Sequence, residues 1–192
     1  MRQRFFILFL TFNCLICSTI LAQETSRKTD RLYSNKIAYS LGYSRIYFYY
    51  ESDSLAKFWK TNFWSHTVEY DRHLFPWLEA GGYFLYSMKD YQQCWVNMAG
   101  IGLNLKLHPI GVFYKNPTFA DIYGIFRGGI NYRFFSNLSE SVSYSAENKW
   151  YPYFSPGVGI SFLNHKRVSV FLEYSKDKCF KKTYRIGMSC WF

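Results

Sequence analysis

The sequence lacks the features of several common functional classes. After the first 22 residues it contains no apolar run long enough to cross a bilayer as a helix, which excludes an ordinary helical membrane protein. Its 4 His and 5 Cys show no spacing that resembles a metal site. The glycines in Gly100–Gly102 and Gly157–Gly159 are not followed by a helical pattern, so we interpret them as small residues beside large neighbours rather than as nucleotide-binding loops.

Acidic residues are also scarce, whereas aromatic residues are abundant. The chain has 13 Asp and Glu against 23 Lys and Arg, a formal net charge of +10. Phe, Tyr and Trp make up 22% of the 192 residues. Amphipathic rings collect at membrane interfaces, although an aromatic-rich soluble barrel or sandwich has a similar composition.

The N-terminus carries the features of a secretory signal peptide. Arg2 and Arg4 precede an apolar run, and the segment ends at Ala22 before a polar stretch. This pattern predicts cleavage after Ala22, with an uncleaved membrane anchor as the alternative. We therefore divide the chain into a signal peptide (1–22), a short exposed lead (23–34) and a barrel (35–192). Export disfavours nucleic acid as the partner of the positive charge and favours anionic lipopolysaccharide.

The rest of the chain alternates with a two-residue period, which predicts an all-β fold: an eight-stranded antiparallel up-and-down transmembrane β-barrel. The pattern breaks at Arg45, which predicts either a bulge or an arginine at the membrane edge. His66 is an unexpected member of an otherwise apolar face, and Pro156 removes one backbone donor. The predicted outward connections are 51–62, 88–93, 135–151 and 175–183. The predicted inward connections are 71–76, 108–117 and 164–167.

The charged residues of the strands fall on one parity. An arginine on the lipid side costs about 2 to 4 kcal/mol at the bilayer midplane, so this parity should face the lumen. Eight strands enclose a lumen just wide enough for side chains, and unpaired charges there are costly. We therefore predict a plugged lumen with paired charges, the alternative being that several of them lie near the rims in water. Arg185 has Glu69, Glu79 and Glu173 as candidate partners. The predicted network comprises Glu69, Glu79, Lys106, Arg127, Arg133, Glu173 and Arg185.

The C-terminus carries a family resemblance. Phe192, with apolar or aromatic residues at every second position back to Tyr184, resembles the strand signature read by the bacterial outer-membrane barrel assembly machinery. The segment from Asn35 to Phe192 resembles the small barrels of the OmpA and OmpX type. The resemblance is strongest to uncharacterised outer-membrane barrel proteins of Bacteroidetes, in Leu105–Pro109, Asp121–Gly124 and Phe171–Ser175. It implies the fold and an outer-membrane location. The implied assembly signal comprises Tyr184, Ile186, Met188, Cys190 and Phe192.

Catalysis has little support in the sequence. A lipase or lipid A deacylase needs a nucleophile beside an oriented histidine. His66 adjoins Ser65, but neighbouring strand residues point to opposite faces. His73, His108 and His165 fall in predicted inward turns, on the wrong side for lipid A chemistry.

We therefore predict a monomeric barrel that acts without chemistry or a cofactor, as a structural or surface-interaction protein. Aromatic rings beside lysines suit an anionic glycan or lipopolysaccharide head group, and they equally suit interfacial anchoring. The alternatives are a small passive channel, then a lipid-modifying enzyme or a soluble exported barrel that binds an apolar ligand. The outward residues expected to carry binding are Lys57, Trp59, Lys60, Trp150, Lys176, Lys178, Lys181 and Lys182.

Two cysteines give a further prediction. Cys94 and Cys179 lie at the outward ends of predicted strands, in an oxidising compartment where a disulfide persists. We predict that they pair, with two unpaired thiols as the alternative. Cys190 lies on the lipid-facing parity and is expected to be buried and reduced.

Overall fold

The computed structural model describes residues 35–52, 55–91, 94–113, 120–136, 149–162, 167–177 and 182–192. At positions 45–52, 55–61, 90–91, 94–95, 112 and 135–136 it describes the backbone alone. The expected signal peptide (1–22) and lead (23–34) lie outside the described residues, and so does the expected disulfide, because Cys179 is not among them.

The described chain forms one closed antiparallel barrel in which each strand pairs with its neighbours in sequence and β1 pairs with β8. This confirms the predicted eight-stranded up-and-down fold. The strands are β1 (Asn35–Ser52), β2 (Leu55–Phe75), β3 (Leu78–Tyr91), β4 (Cys94–Leu107), β5 (Ala120–Ser136), β6 (Lys149–Phe162), β7 (Val168–Ser175) and β8 (Lys182–Trp191).

The two ends of the described chain close the barrel. The backbone N–H of Asn35 donates to the carbonyl of Phe192 at 3.0 Å, and the N–H of Phe192 donates back at 2.9 Å. Pairing then continues in register from Lys36 opposite Trp191 to Ser44 opposite Thr183. The alternation that singled out the C-terminal strand therefore belongs to the seam of the barrel.

The outward ends of the strands are longer than the sequence indicated. The predicted loop 51–62 is wrong, because β1 and β2 remain paired up to Ser52 opposite Leu55. The predicted loop 88–93 is also wrong, since Tyr91 pairs with Cys94. The charges in these segments are typical of a loop. Their Phe, Tyr and Trp residues favour strands, and the paired backbone satisfies its own polar groups.

Two other irregularities lie elsewhere than predicted. Arg45 pairs with Asn62 without a register shift, so no bulge is present at that point. The shift occurs instead between His73 and Phe75, beside the turn at Pro76–Trp77. The predicted inward turn 71–76 is thus too long, and Asp71 and His73 belong to β2.

The remaining predicted connections are covered in part. In the connection 108–117, a 3₁₀ helix spans Pro109–Val112. In the connection 135–151, β5 continues to Ser136 and β6 begins at Lys149. Segments 137–148, 163–166 and 178–181 lie outside the described residues.

The two faces of the barrel have opposite polarity. On the outer face Leu103 is 73% exposed and Ile186 is 55% exposed, whereas Arg127, Glu69 and Glu79 on the inner face are at most 1% exposed. None of the helical residues in the described ranges forms a helix long and apolar enough to span a bilayer. The core of this molecule is therefore the polar lumen, and its apolar residues face outward.

Aromatic rings follow the outward end of the apolar face. Trp64, Tyr43, Tyr184 and Tyr174 lie opposite one another in sequence across β2, β1, β8 and β7. The ring centroids of Tyr43 and Trp64 are 5.1 Å apart, and those of Tyr174 and Tyr184 are 5.2 Å apart. At the opposite end Phe75 stacks on Trp77 at 5.4 Å. Aromatic rings at both ends of an apolar band are the pattern of outer-membrane barrels.

Candidate functional site: the luminal charge network

The centre of the lumen is organised by Arg127 of β5. Its Nε and Nη2 lie 3.2 and 2.5 Å from Glu69 Oε1, and Nη2 also lies 2.6 Å from Glu173 Oε2. All three side chains are buried. A guanidinium suits this position because its fixed fork of donors can engage two carboxylates at once. One arginine thus links β5 to β2 on one side and to β7 on the other.

Lys106 of β4 continues the network toward the end of the barrel at which Asn35 and Phe192 meet. Its Nζ lies 2.7 Å from Glu69 Oε2 and 2.8 Å from Asp71 Oδ2. The amide of Asn104 donates to Glu69 as well, at 3.2 Å. Glu69 therefore receives hydrogen bonds from three side chains, which compensates the burial of its charge.

A second group of ionisable residues lies at that end of the lumen, and we call it the mouth cluster: Lys36, His73, Glu79, His108 and Asp121. Glu79 is its centre. Lys36 forms an ion pair with Glu79, and the Nε2 atoms of His73 and His108 lie 2.9 and 3.2 Å from Glu79 Oε1. His108 Nδ1 lies 2.5 Å from Asp121 Oδ2. Lys36 also lies 3.5 Å from Asp71, which joins the mouth cluster to the central network.

His108 follows the last residue of β4, outside the spanning strands. Burial lowers the pKa of His108, but its hydrogen bond to Asp121 and the nearby negative charge of Glu79 outweigh burial, so the net pKa is raised above the ordinary value of 6.5. Its two carboxylate neighbours therefore favour the imidazolium form, in which both ring nitrogens are donors.

Aromatic side chains fill the space between the charges. The Tyr123 hydroxyl donates to Glu173 Oε1 at 2.9 Å, and the Tyr123 ring covers Gly159, where a Cβ would overlap the ring. The ring of Phe171 covers Gly187 in the same way. The luminal glycines near these rings make room for them, in agreement with our interpretation of Gly157–Gly159.

The structure brings four of the predicted network residues into direct contact. These are Glu69, Lys106, Arg127 and Glu173. Glu79 joins them through Lys36 and Asp71. Arg133 lies nearer the outward end, half-buried, with its guanidinium 5.1 Å from the centre of the Tyr151 ring.

The expectation that Arg185 pairs with a glutamate is wrong. Its guanidinium donates to Ser175 Oγ and to the Tyr153 hydroxyl, each at 3.1 Å. Glu173 lies directly opposite Arg185 across β7 and β8, but its carboxylate is engaged by Arg127 and Tyr123. Glu173 therefore bonds to residues across the lumen rather than to its neighbour on the adjacent strand.

Sequence reasoning missed five members of the network: Lys36, Asp71, His73, His108 and Asp121. Parity could have identified three of them. Asp71 and His73 continue the inward parity of Glu69, and Lys36 continues that of the small inward residues of β1. Strand ends that were set too short removed these residues from the predicted lumen.

The residues of the expected assembly signal lie along the seam. Tyr184, Ile186 and Met188 are 53%, 55% and 57% exposed on the outer face, and Phe192 is 38% exposed. Cys190 is 4% exposed, so this thiol is buried although its neighbours of the same parity are not.

The expected outward-binding residues are described only in part. Trp150 is 61% exposed, and its ring lies 4.6 Å from that of Tyr132. Lys176 and Lys182 are exposed. Side chains of Lys57, Trp59 and Lys60 are outside the description, as are Lys178 and Lys181.

The described histidines do not form a hydrolase site. His66 lies on the outer face, where its Nδ1 is 2.6 Å from the Tyr39 hydroxyl, while Ser65 is buried on the inner face. His73 lies in β2 rather than in the predicted inward turn, whereas His108 lies in the predicted inward connection after β4, and both contact luminal carboxylates. His165 lies outside the described residues. Within the described part of the chain, no group of three or more His, Cys, Asp and Glu is arranged to hold a metal ion.

Comparisons with known proteins identify the fold. No protein-family model and no curated sequence matches the chain. Ail, the attachment invasion locus protein of Yersinia pestis, solved in complex with the heparin analogue sucrose octasulfate, is similar with a TM-score of 0.56 at 14% identity, covering 83% of this chain and 99% of Ail. Neisserial surface protein A has a TM-score of 0.55 at 10% identity, covering 82% of this chain and 97% of that protein. The chain therefore has the fold of the small eight-stranded outer-membrane β-barrels.

Proposed function

We propose that this protein is an integral outer-membrane barrel with a plugged, charge-paired lumen, acting without catalysis as a structural or surface-interaction protein. The inverted polarity of the barrel carries the proposal. Outward Leu103, Phe154 and Ile101 are 73%, 65% and 57% exposed, whereas inward Arg127 is 0% exposed and bonded to two glutamates. In water the outer face would be an apolar surface far larger than soluble monomers present. A soluble barrel that binds an apolar ligand would need the opposite arrangement.

The first experiment tests the membrane location. Cell fractionation followed by electrophoresis of unboiled and boiled samples should find the protein in the outer membrane, with the unboiled form migrating faster because the barrel stays folded. Recovery in the soluble periplasm without a mobility shift would refute the proposal.

The burial of the inward side chains supports the proposed plugged lumen. Eight strands leave an interior that side chains fill, and here Arg127, Glu69, Glu79, Asn131 and Ser155 are each at most 1% exposed. The purified barrel in a planar bilayer should therefore give no sustained current. Stable open-state conductance would favour a small passive channel instead.

Surface interaction is proposed for the outward end, where cations and exposed rings lie together. Arg133 pairs in register with Lys149, two like charges opposite each other, and Trp150 is exposed beside Tyr132. The proposed partner is the anionic head group of lipopolysaccharide or a related acidic glycan. The Ail structure, which contains a heparin analogue, gives one instance of an acidic sugar on a barrel of this fold.

Binding is tested with lipopolysaccharide and with the same molecule after dephosphorylation. The triple variant Lys149→Gln, Lys176→Gln, Lys182→Gln should weaken binding to the phosphorylated form by roughly tenfold and abolish the difference between the two forms. The matched control is Arg72→Gln, an exposed cation at the opposite end of the barrel. Equal effects of the triple variant and the control would refute a specific outward site.

The proposal includes a route to the membrane. Residues 1–22 direct export, and the outer-membrane barrel assembly machinery reads Tyr184, Ile186, Met188, Cys190 and Phe192. A monomer in contact with outer-membrane lipid is the expected final state. The finer relationship to OmpA- and OmpX-type barrels of Bacteroidetes is part of the proposal and is supported by the short sequence segments alone.

A further inference from the structure

The mouth cluster has fewer permanent positive charges than carboxylates. Among the residues that the structure describes, the contiguous ion-pair network contains three permanent cations: Lys36, Lys106 and Arg127. It contains five carboxylates: Glu69, Asp71, Glu79, Asp121 and Glu173. Its remaining members are His73 and His108. A positive charge on His108 would offset part of this deficit.

The deficit is local to the mouth. Lys106 and Arg127 contact Glu69, Asp71 and Glu173, all toward the centre. Glu79 has Lys36 as its one permanent cation among the described side chains, and that lysine also contacts Asp71. Asp121 contacts His108. Arg185 adds a positive charge nearer the outward end of the lumen, where it bonds to Ser175 and Tyr153. The balance at the mouth therefore depends on the imidazoles.

The two imidazoles also connect several strands. His73 belongs to β2, Glu79 to β3 and Asp121 to β5, and His108 follows β4. The ring of His73 lies 5.9 Å from that of His108 and stacks on Trp191 of β8 at 4.6 Å. Lys36 of β1 lies over the same Trp191 ring at 4.7 Å, and the ring of Tyr123 lies 5.2 Å from that of His108. A change of protonation at this cluster therefore affects contacts of most strands at this end of the barrel.

Solvent protons can reach this end of the lumen. The side chains of His73 and Asp121 are 18% and 16% exposed, in contrast to 0% for Arg127 and Glu173 at the centre. His108, at 7%, lies just behind them. The mouth cluster is thus the part of the network where titration does not require opening the barrel.

We propose that the mouth cluster is a proton-dependent clasp. When His108 is protonated, its contacts with Glu79 of β3 and Asp121 of β5 hold these strands together across the lumen, beside the contact of His73 of β2 with Glu79. When the proton leaves, the contact with Asp121 loses its positive partner, Lys36 is the remaining permanent cation of the mouth cluster, and this end of the barrel loosens. The clasp rests on the proposed closed lumen, which it would regulate.

Linkage fixes the direction of the effect. The raised pKa of His108 means that the folded barrel binds the proton more tightly than the unfolded chain. The added stability is complete below the unfolded pKa of about 6.5 and is lost as pH rises through the folded value. The barrel should therefore be more resistant to heat at pH 6 than at pH 9.

The test measures the temperature at which the fast-migrating unboiled form disappears on electrophoresis, from pH 6 to pH 9. The midpoint temperature of the wild type should fall between pH 6 and pH 9. The fall should be roughly 3 to 5 °C for each factor of ten by which the folded state binds the proton more tightly than the unfolded chain. The H108Q variant should lose most of this slope. The control is H66Q, since His66 lies on the outer face against Tyr39, and between pH 7.5 and pH 9 it should keep the wild-type slope.

Two results would overturn the clasp: an H108Q variant with the wild-type slope, or an H66Q variant that loses the slope between pH 7.5 and pH 9. If H108Q does not fold, nuclear magnetic resonance of the wild-type imidazoles replaces it. His108 should then titrate above the ordinary range and shift downward in the Asp121→Asn variant, and unchanged titration in that variant would refute the contact. Absence of any fast-migrating band in the wild type would instead count against the barrel itself, and a sustained current at every pH would count against the closed lumen.

Discussion

Replacing Arg127 with methionine tests the luminal network most directly. Methionine has a similar length and keeps much of the packing, but it removes the contacts to Glu69 Oε1 and Glu173 Oε2. Glu69 would retain Lys106 at 2.7 Å and Asn104 at 3.2 Å, whereas Glu173 would retain the Tyr123 hydroxyl at 2.9 Å. Glu173 is therefore the charge left without compensation.

The expected cost follows from that asymmetry. Removing one partner of a buried ion pair destabilises a protein by about 3 to 5 kcal/mol, because the other charge stays buried. Adding E173Q to R127M removes that charge, and the double variant should recover roughly 1 to 3 kcal/mol. The control R133M removes a half-buried arginine that lies over Tyr151, and it should cost about 1 kcal/mol or less.

Urea unfolding of the barrel in lipid vesicles, followed by tryptophan fluorescence and by the electrophoretic mobility of the folded form, gives these free energies. The reasoning fails if R127M costs no more than R133M. It also fails if E173Q makes R127M less stable, because Glu173 would then not be the uncompensated charge. Either result would mean that water reaches the centre of the lumen and screens its charges.

Three further predictions concern other parts of the barrel. Deleting Phe192 removes the closing hydrogen bonds to Asn35, so it should reduce membrane insertion with export intact, measured by fractionation; normal assembly would contradict this role. Leu103→Arg should lower the free energy of unfolding of the inserted barrel, measured in urea, by about 2 to 4 kcal/mol, and the control Leu103→Ile should be nearly neutral. Equal stability of the two variants would mean that this face lies in water. Gly159→Ala should lower the free energy of unfolding by about 1 to 3 kcal/mol, because the new Cβ overlaps the Tyr123 ring. The loss should be smaller in a Tyr123→Leu background, and an unchanged loss there would exclude that overlap.

The sequence predicted the strand number, the closed topology and the inward face because each depends on local alternation. The inward parity of Glu69 or Arg127 follows from their immediate neighbours on the strand. A lipid-facing barrel repeats this alternation in every strand, so an error in one strand leaves the others intact. The outer rings of Tyr43, Trp64 and Tyr184 follow the same rule.

Partner choice inside the lumen could not be predicted in this way. Arg185 and Glu173 are ladder neighbours and opposite charges, yet Glu173 bonds to Arg127 from across the barrel. Contacts of that kind depend on strand tilt and side-chain length, which no local pattern contains. The mouth cluster was missed for a simpler reason: strand ends are the least periodic parts of a strand, and Asp71 and His73 lie at one.

The seam between Asn35 and Phe192 has a consequence for the order of folding. The chain must bring together two residues separated by roughly 150 residues, which costs about 4 to 5 kcal/mol of loop-closure entropy. The hairpin that turns at Pro76–Trp77 has almost no such cost. Hairpins should therefore form first and the β1–β8 seam last, and closure cannot begin until Phe192 has been synthesised. Until then β1 presents an unpaired edge, so a folding intermediate needs a template or a chaperone on that edge to prevent association with other chains.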